Sequence, residues 1–264
     1  MADVPAATRI AHAAGWNQTE TDWRILLRLA PETCFGLECD GGLAATTTPV
    51  CHGRMLAWIG MVLTDPAHRR RGYARRLMEH TLAALTHSQV AWIKLDATEM
   101  GAPLYRALGF QEECSVERWG RAGGDVQPAR DLSWTDQLGL DLPAFGADRA
   151  PLLAMLAPLG AAALAGQGYA MTRPGAKAAY FGPCVSRSPE ATQELLRWFL
   201  GRHPHAPVYW DLLPGNVEAV RLARACGFEP QRRLVRMVKA GRPGAAPLAH
   251  DDSQVFAIAG FEYG

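Results

Sequence analysis

The sequence predicts an α/β chain of the α+β kind that carries one scaffold twice. Three observations predict it. A strand, a basic glycine turn and a helix follow one another between Met61 and His80. Strand-like apolar runs alternate with short helices from Met55 to Trp119. Leu104-Tyr-Arg-Ala-Leu-Gly-Phe110 then recurs as Leu222-Ala-Arg-Ala-Cys-Gly-Phe228, at an offset of 118 (227 − 109). The same offset pairs Trp92 with Trp210, Leu77 with Leu195, Leu82 with Leu200 and Gly123 with Gly241. One offset aligning a strand, two helices and the following strand marks an internal repeat.

Taken in order, Ala6 to Ala14 suits a short helix stopped by Gly15. Thr19-Glu-Thr-Asp22 resembles a capping box and starts a second helix through Leu29, closed by Pro31. Thr33 to Cys39 reads as a strand, Asp40-Gly41-Gly42 as a hairpin turn, and Leu43 to Val50 as the returning strand. Cys51-His52-Gly53 turns into the central strand, Met55 to Leu63. Pro66 ends that strand because proline has no N–H for a ladder. Leu77, Met78, Leu82 and Leu85 then recur at helical spacing as far as Thr86. Val90 to Ala97 is a strand, Met100 to Leu108 a short helix stopped by Gly109, and Phe110 to Trp119 extended. Gly120 to Arg130 is rich in glycine and poor in apolar residues, so it reads as a linker. The expected domains are therefore residues 1–125 and 131–264. Pro151 to Gly166 reads as a buried helical segment, short of the ~20 residues that span a bilayer.

Composition limits the function classes. A chain of 264 residues with 48% hydrophobic and 20% charged residues suits a globular protein. Lys+Arg 27 against Asp+Glu 26 leaves +1, so no bulk basic field gathers nucleic acid or anionic membrane. Neither partner is expected. The six cysteines form no C-x-x-C, and no histidine pair stands at zinc-finger spacing, so no metal ligands are expected. Reduced thiols and the lack of a signal-peptide pattern at Met1-Ala-Asp-Val-Pro point to a cytoplasmic protein.

The chemistry gathers at Arg69-Arg70-Arg71-Gly72-Tyr73-Ala74. A helix N-terminus has unpaired N–H groups and about half a positive charge. A glycine there lets the backbone approach a bound phosphate or pyrophosphate. The Walker and dinucleotide glycine patterns are both absent. The repeat breaks at this turn. Gly72 maps to Glu190, Tyr105 to Ala223, and Arg70 and Arg71 to Ser188 and Pro189. The second half keeps the scaffold and loses the anion turn.

These residues resemble the GNAT superfamily, N-acetyltransferases that use acetyl-coenzyme A. The family's Arg/Gln-x-x-Gly-x-Gly/Ala turn is matched by Arg69 to Ala74, and its Tyr-x-x-x-Gly-Phe helix end by Tyr105 to Phe110. Trp58 to Leu63 matches the strand entering the turn. The resemblance covers roughly residues 5 to 121, and the repeat with Phe256 to Glu262 resembles bacterial tandem-GNAT proteins. It implies two GNAT-like domains, each a mixed, mostly antiparallel twisted sheet flanked by helices, the second a degenerate copy. It also implies acetyl-coenzyme A as co-substrate. The turn from Arg70 through Arg71, Gly72, Tyr73 and Ala74 to Arg75 would cradle the pyrophosphate. Val62, Leu63 and Thr64 would pair with the pantetheine arm. Tyr105 would protonate the leaving thiolate. Thr98 stands where many members have Asn, and Asn216 fills that place in the repeat.

The implied reaction is direct acetyl transfer to a primary amine. An alkylammonium with pKa ~10 must first lose a proton. The central strand has no acid, so His52, Glu38, Asp40 and Asp96 all stay open as bases. A turn histidine such as His52 more often lies at the surface. Trp16, Trp23, Trp58 and Trp119 are candidates to line the acceptor pocket, or simply core. The acceptor is a small molecule or a peptide amine; polyamines, amino acids, aminoglycoside-like drugs and protein amines stay open. A homodimer is also kept open. The rivals are a non-catalytic acyl-coenzyme A sensor or assembly module, and a second active site in the C-terminal half.

Overall fold

Local signals set the first elements in a computed structural model that describes residues 2–124, 130–135 and 137–264. Helix α1 spans Val4–Ala13 and α2 spans Glu20–Leu29. Between them Gly15 adopts φ 76°, and the Thr19 N–H donates to Asp22 Oδ2 at 2.7 Å, as the capping pattern predicts. Strands β1 (Phe35–Cys39) and β2 (Gly42–His52) meet at Asp40 and Gly41, both with positive φ. His52 therefore closes a strand, and the turn falls after it. Strand β3 (Leu56–Thr64) returns antiparallel to β2. Helix α3 (Tyr73–His87), β4 (Trp92–Ala97), α4 (Ala102–Ala107) and β5 (Gln111–Arg121) complete the first half.

The second half begins with α5 (Leu138–Phe145) and α6 (Ala150–Leu156). Here the structure corrects the single helix expected over Pro151 to Gly166. Pro158 cannot donate within a continuing helix, Gly160 turns the chain at φ 152°, and Ala161–Leu164 forms β6. Strands β7 (Gly168–Arg173) and β8 (Ala179–Ser186) follow, then α7 (Pro189–Arg202), β9 (Val208–Leu212), α8 (Val217–Ala225) and β10 (Glu229–Ala240). A last short strand, β11 (Val255–Ala257), pairs with β8.

The strands form one sheet in the order β1-β2-β3-β4-β10-β5-β9-β8-β7-β6. This order is a palindrome of the repeat with its last members exchanged. Strand β10, from the second half, pairs with β4; β5, from the first half, pairs with β9. The two exchanged strands lie antiparallel side by side at the centre, with Val116 opposite Leu234. Those residues are repeat partners (234 − 116 = 118), so a pseudo-two-fold passes between them. Both are buried. Helices α3 and α7 each cover their own half-sheet. Leu77, Met78 and Leu85 are buried on α3, and Leu195, Leu196 and Phe199 on α7.

Candidate active site

Strands β3 and β4 run parallel for three residue pairs only, Leu56–Trp92 to Trp58–Lys94, and then diverge. The divergence is shaped from the β2 side. A bulge interrupts the β2–β3 register, and Met61 sits there at φ 48° with its carbonyl accepting from Thr46 Oγ1 at 2.7 Å. Such a bulge bends the strand and breaks its ladder. The gap opens into a cavity of about 1040 Å³. Val62, Leu63 and Thr64 form one side, and Leu95, Asp96 and Thr98 the other.

The basic turn closes one part of this cavity. Gly72 is the N-cap of α3 at φ 78°, no side chain caps the helix, and its first turn has no acid. The first N–H groups of α3 are therefore available to an anion. Arg70, Gly72, Tyr73, Ala74 and Arg75 line the cavity together with Arg69. Arg71 is exposed and is not among the lining residues. Arg70 holds φ 62°, an uncommon conformation for a long side chain, of the kind that recurs where backbone is shaped around a ligand.

Tyr105 reaches the same cavity from α4. Its ring packs against Phe110, 6.1 Å between centroids, which is the physical use of the Gly109-Phe110 stop. Burial raises the phenol's pKa, so it holds its proton at neutral pH. Thr98 accepts the Gly101 N–H at 3.1 Å and so orders the turn into α4. Nine of the ten residues singled out for coenzyme and proton transfer thus share one cavity.

A family model described as an acetyltransferase (GNAT) domain matches residues 30–112, and another of the same description matches residues 138–257. The chain belongs to the GNAT acetyltransferase superfamily. Over 164 residues it is 27% identical to the uncharacterized N-acetyltransferase YitH of Bacillus subtilis (strain 168), covering 58% of this chain and 56% of that protein. The match therefore spans little more than half the length of this curated relative. A crystal structure from Pyrococcus horikoshii shares the fold at TM-score 0.86, with 18% identity over 100% of this chain and 93% of that one. A tandem GNAT protein from the clavulanic acid biosynthesis pathway matches at TM-score 0.60, with 19% identity over 89% of this chain and 93% of that one. These two likenesses concern the fold.

The two GNAT repeats differ most in their splays. Strands β8 and β9 also pair for three residues, Ala179–Val208 to Phe181–Trp210. Beyond them the gap is filled by the chain itself. Strand β11 pairs with β8, the Ile258 N–H donates to the Asp211 carbonyl at 3.0 Å, and Trp210 Nε1 donates to the Phe256 carbonyl at 2.7 Å. Asn216 caps α8 and donates through Nδ2 to the carbonyls of Ser253 and Val255, at 3.0 and 3.1 Å. Helix α7 is capped by Ser188, whose hydroxyl accepts the Ala191 N–H at 3.2 Å, and Glu190 stands in its first turn. Among the described residues, the slot beside β8 is therefore filled, and the helix that matches α3 in the second GNAT repeat has a capped N-terminus.

The segment that fills the second splay then builds the first site. A Cβ on Gly60 would sit 2.7 Å from Glu262 Cα, so the closing turn Gly260–Gly264 packs directly on β3. Trp58 Nε1 donates to the Phe261 carbonyl at 3.0 Å, and Phe261 lines the cavity. Glu262 is buried, accepts from Arg173 at 2.6 Å and from Gln18 at 2.7 Å, and ties the α1–α2 loop to this turn.

Of the four candidate bases, only Asp96 lines the cavity, and both its oxygens accept from Arg236, at 2.9 and 3.1 Å. His52 is buried rather than at the surface. Its ring meets Phe145 edge-on at 5.3 Å, and burial lowers its pKa to about 4. Glu38 and Asp40 are not cavity residues. Of the four tryptophans, Trp16 lines the cavity; Trp23, Trp58 and Trp119 are core side chains. Sequence reasoning missed Gln18, Arg118, Arg232, Arg233 and Phe261, which line the cavity from distant segments.

Proposed function

We propose that the chain transfers the acetyl group of acetyl-coenzyme A to a primary amine by direct attack, at the first repeat only. The observation that carries this reading is the difference between the two splays. One is open beside an uncapped helix N-terminus and a buried phenol; the other is filled by β11 and faces the capped α7. Residues 1–125 are read as the catalytic domain and residues 131–264 as the degenerate copy, which supplies β10 and the closing turn.

The N–H groups of α3 and the side chains of Arg69, Arg70 and Arg75 would hold the pyrophosphate. Val62 to Thr64 would pair with the pantetheine arm along the free edge of β3. A backbone N–H there would stabilise the charge that develops on the thioester oxygen. The amine nitrogen bonds to the acetyl carbon, the carbon–sulfur bond breaks, and Tyr105 Oη gives its proton to the departing sulfur. The ammonium loses one proton to solvent before attack, directly or through a water chain; nitrogen loses a second as the amide forms, and solvent returns one to the Tyr105 phenolate. The raised pKa of Tyr105 keeps it a phenol between turnovers.

Excess coenzyme A should raise the protein's thermal midpoint, and acetyl-coenzyme A with a suitable amine should release thiol. Tyr105→Phe should lower kcat by about 10²-fold, within the range of lost general acids, with coenzyme affinity little changed. Unchanged turnover would remove the role given to Tyr105. Coenzyme binding with no thiol release from any amine would favour a non-catalytic acyl-coenzyme A module instead.

A further inference from the structure

We infer that the acceptor amine carries an anionic oxygen group, a carboxylate or a phosphate, which Arg232 holds. The inference rests on the acetyl-transfer reading and names the class of acceptor. It comes from the charges left on the cavity wall once every visible pair is matched. Arg69, Arg70 and Arg75 belong to the coenzyme turn, across β3. The opposite wall is built from β5, β10, the closing turn and the α1–α2 loop. It presents Arg118, Arg232 and Arg233 with Gln18, Trp16 and Phe261.

Arg118 is already satisfied. Its Nε and Nη2 donate to the two oxygens of Asp211 at 2.7 and 2.6 Å, and its guanidinium lies 4.7 Å from the Phe261 ring centroid. Arg233 is exposed and donates to Ser115 Oγ at 2.7 Å. Arg232 stands opposite Arg118 across the β5–β10 pair and has no ion-pair partner among the described residues. It is half-buried beside a like charge, and its pKa is lowered by burial first and by Arg118 second; Asp211, already held by two nitrogens of Arg118, offsets this only in part. An anion on the cavity side would relieve both. A guanidinium offers a planar fork that matches carboxylate or phosphate oxygens two at a time.

The acids point the same way. Asp96 and Glu99 are the carboxylates of the lining. Arg236 neutralises Asp96, and Glu99 is exposed. Among the described residues, a polycationic acceptor would find no unpaired buried carboxylate here and would face Arg232. Polyamines and aminoglycoside-like drugs are therefore the wrong class. An amine with its own anionic group fits, its nitrogen toward the thioester and its anion toward β10.

The test compares matched acceptor pairs at constant ionic strength and saturating acetyl-coenzyme A. One arm sets α-amino acids against their amides, the other phosphoethanolamine against ethanolamine; spermidine is the polycation. The anionic member of at least one pair should be favoured tenfold or more in kcat/KM, chiefly through KM. Which pair shows the preference distinguishes carboxylate from phosphate. Arg232→Gln should bring that ratio toward one, and Arg232→Lys should keep part of it. The wild-type ratio decides even where a variant fails to fold. Equal rates within both pairs, or spermidine outpacing all of them, would overturn the inference while leaving acetyl transfer standing. No coenzyme-induced stabilisation and no thiol release with any amine would overturn the transfer reading, and this inference with it.

Discussion

A histidine closed off from water has to stay neutral, and His52 shows what that costs at low pH. It is buried, its Nε2 has no hydrogen-bond partner among the described residues, and its pKa falls to about 4, chiefly by burial and then by Arg149. The folded value lies below the unfolded 6.5, so the unfolded chain takes up the proton first as pH falls. The stability is present above pH 6.5 and lost as pH falls toward 4, by up to about 3 kcal/mol. His52→Leu should flatten the unfolding free energy between those two pH values; a variant with the wild-type slope would show that other groups govern acid sensitivity. The neighbours of His52, Cys51 and Gly53, mark a surface turn in the sequence. What buries it, Phe145 and the Tyr263 backbone, lies far along the chain and leaves no local sign. Tyr105 was legible because its signal is local: the Gly109-Phe110 stop that follows it also positions its ring. Arg232 was not. One arginine among 27 basic residues carries no mark of being unpaired until its strand neighbours are known.

At the scale of elements, two helices of one ancestry have opposite ends. Helix α3 begins at a bare glycine, and α7 begins at a serine that satisfies its own N–H. The repeat offset already showed this contrast, since Ser188 and Glu190 replace Arg70 and Gly72. It could not show β11, whose three residues give too short a period to read. Asn216→Ala removes a helix cap and the anchor of the segment before β11. It should cost about 2–4 kcal/mol, the sum of a lost cap and orphaned buried carbonyls, measured by denaturant unfolding. Coenzyme affinity should change little, because the site lies in the other splay. If affinity collapses while stability holds, the coenzyme sits in the second repeat, and the assignment of sites is reversed.

For the whole molecule, the exchange of β5 and β10 makes the halves interdependent. A fragment ending near residue 130 lacks the strand that pairs with both β4 and β5. It should be largely unfolded by circular dichroism and proteolysis. Co-expression with residues 131–264 should recover a soluble pair that binds coenzyme A; a well-folded first fragment would show that β10 is dispensable. The sequence predicts two similar units but not which final strand joins which half. The repeat makes β5 and β10 alike, so the local pattern suits either partner, and only the full register separates the two choices. The same exchange sets a clock for the growing chain. The first half cannot close its sheet when its own residues leave the ribosome, because β10 ends at residue 240 and β4 at residue 97. At roughly 5–20 residues per second, the exposed edge of β4 waits roughly seven to thirty seconds for its neighbour. Edges left open that long invite pairing with another nascent chain, so the yield of native protein should depend on how sparsely ribosomes are spaced along the message.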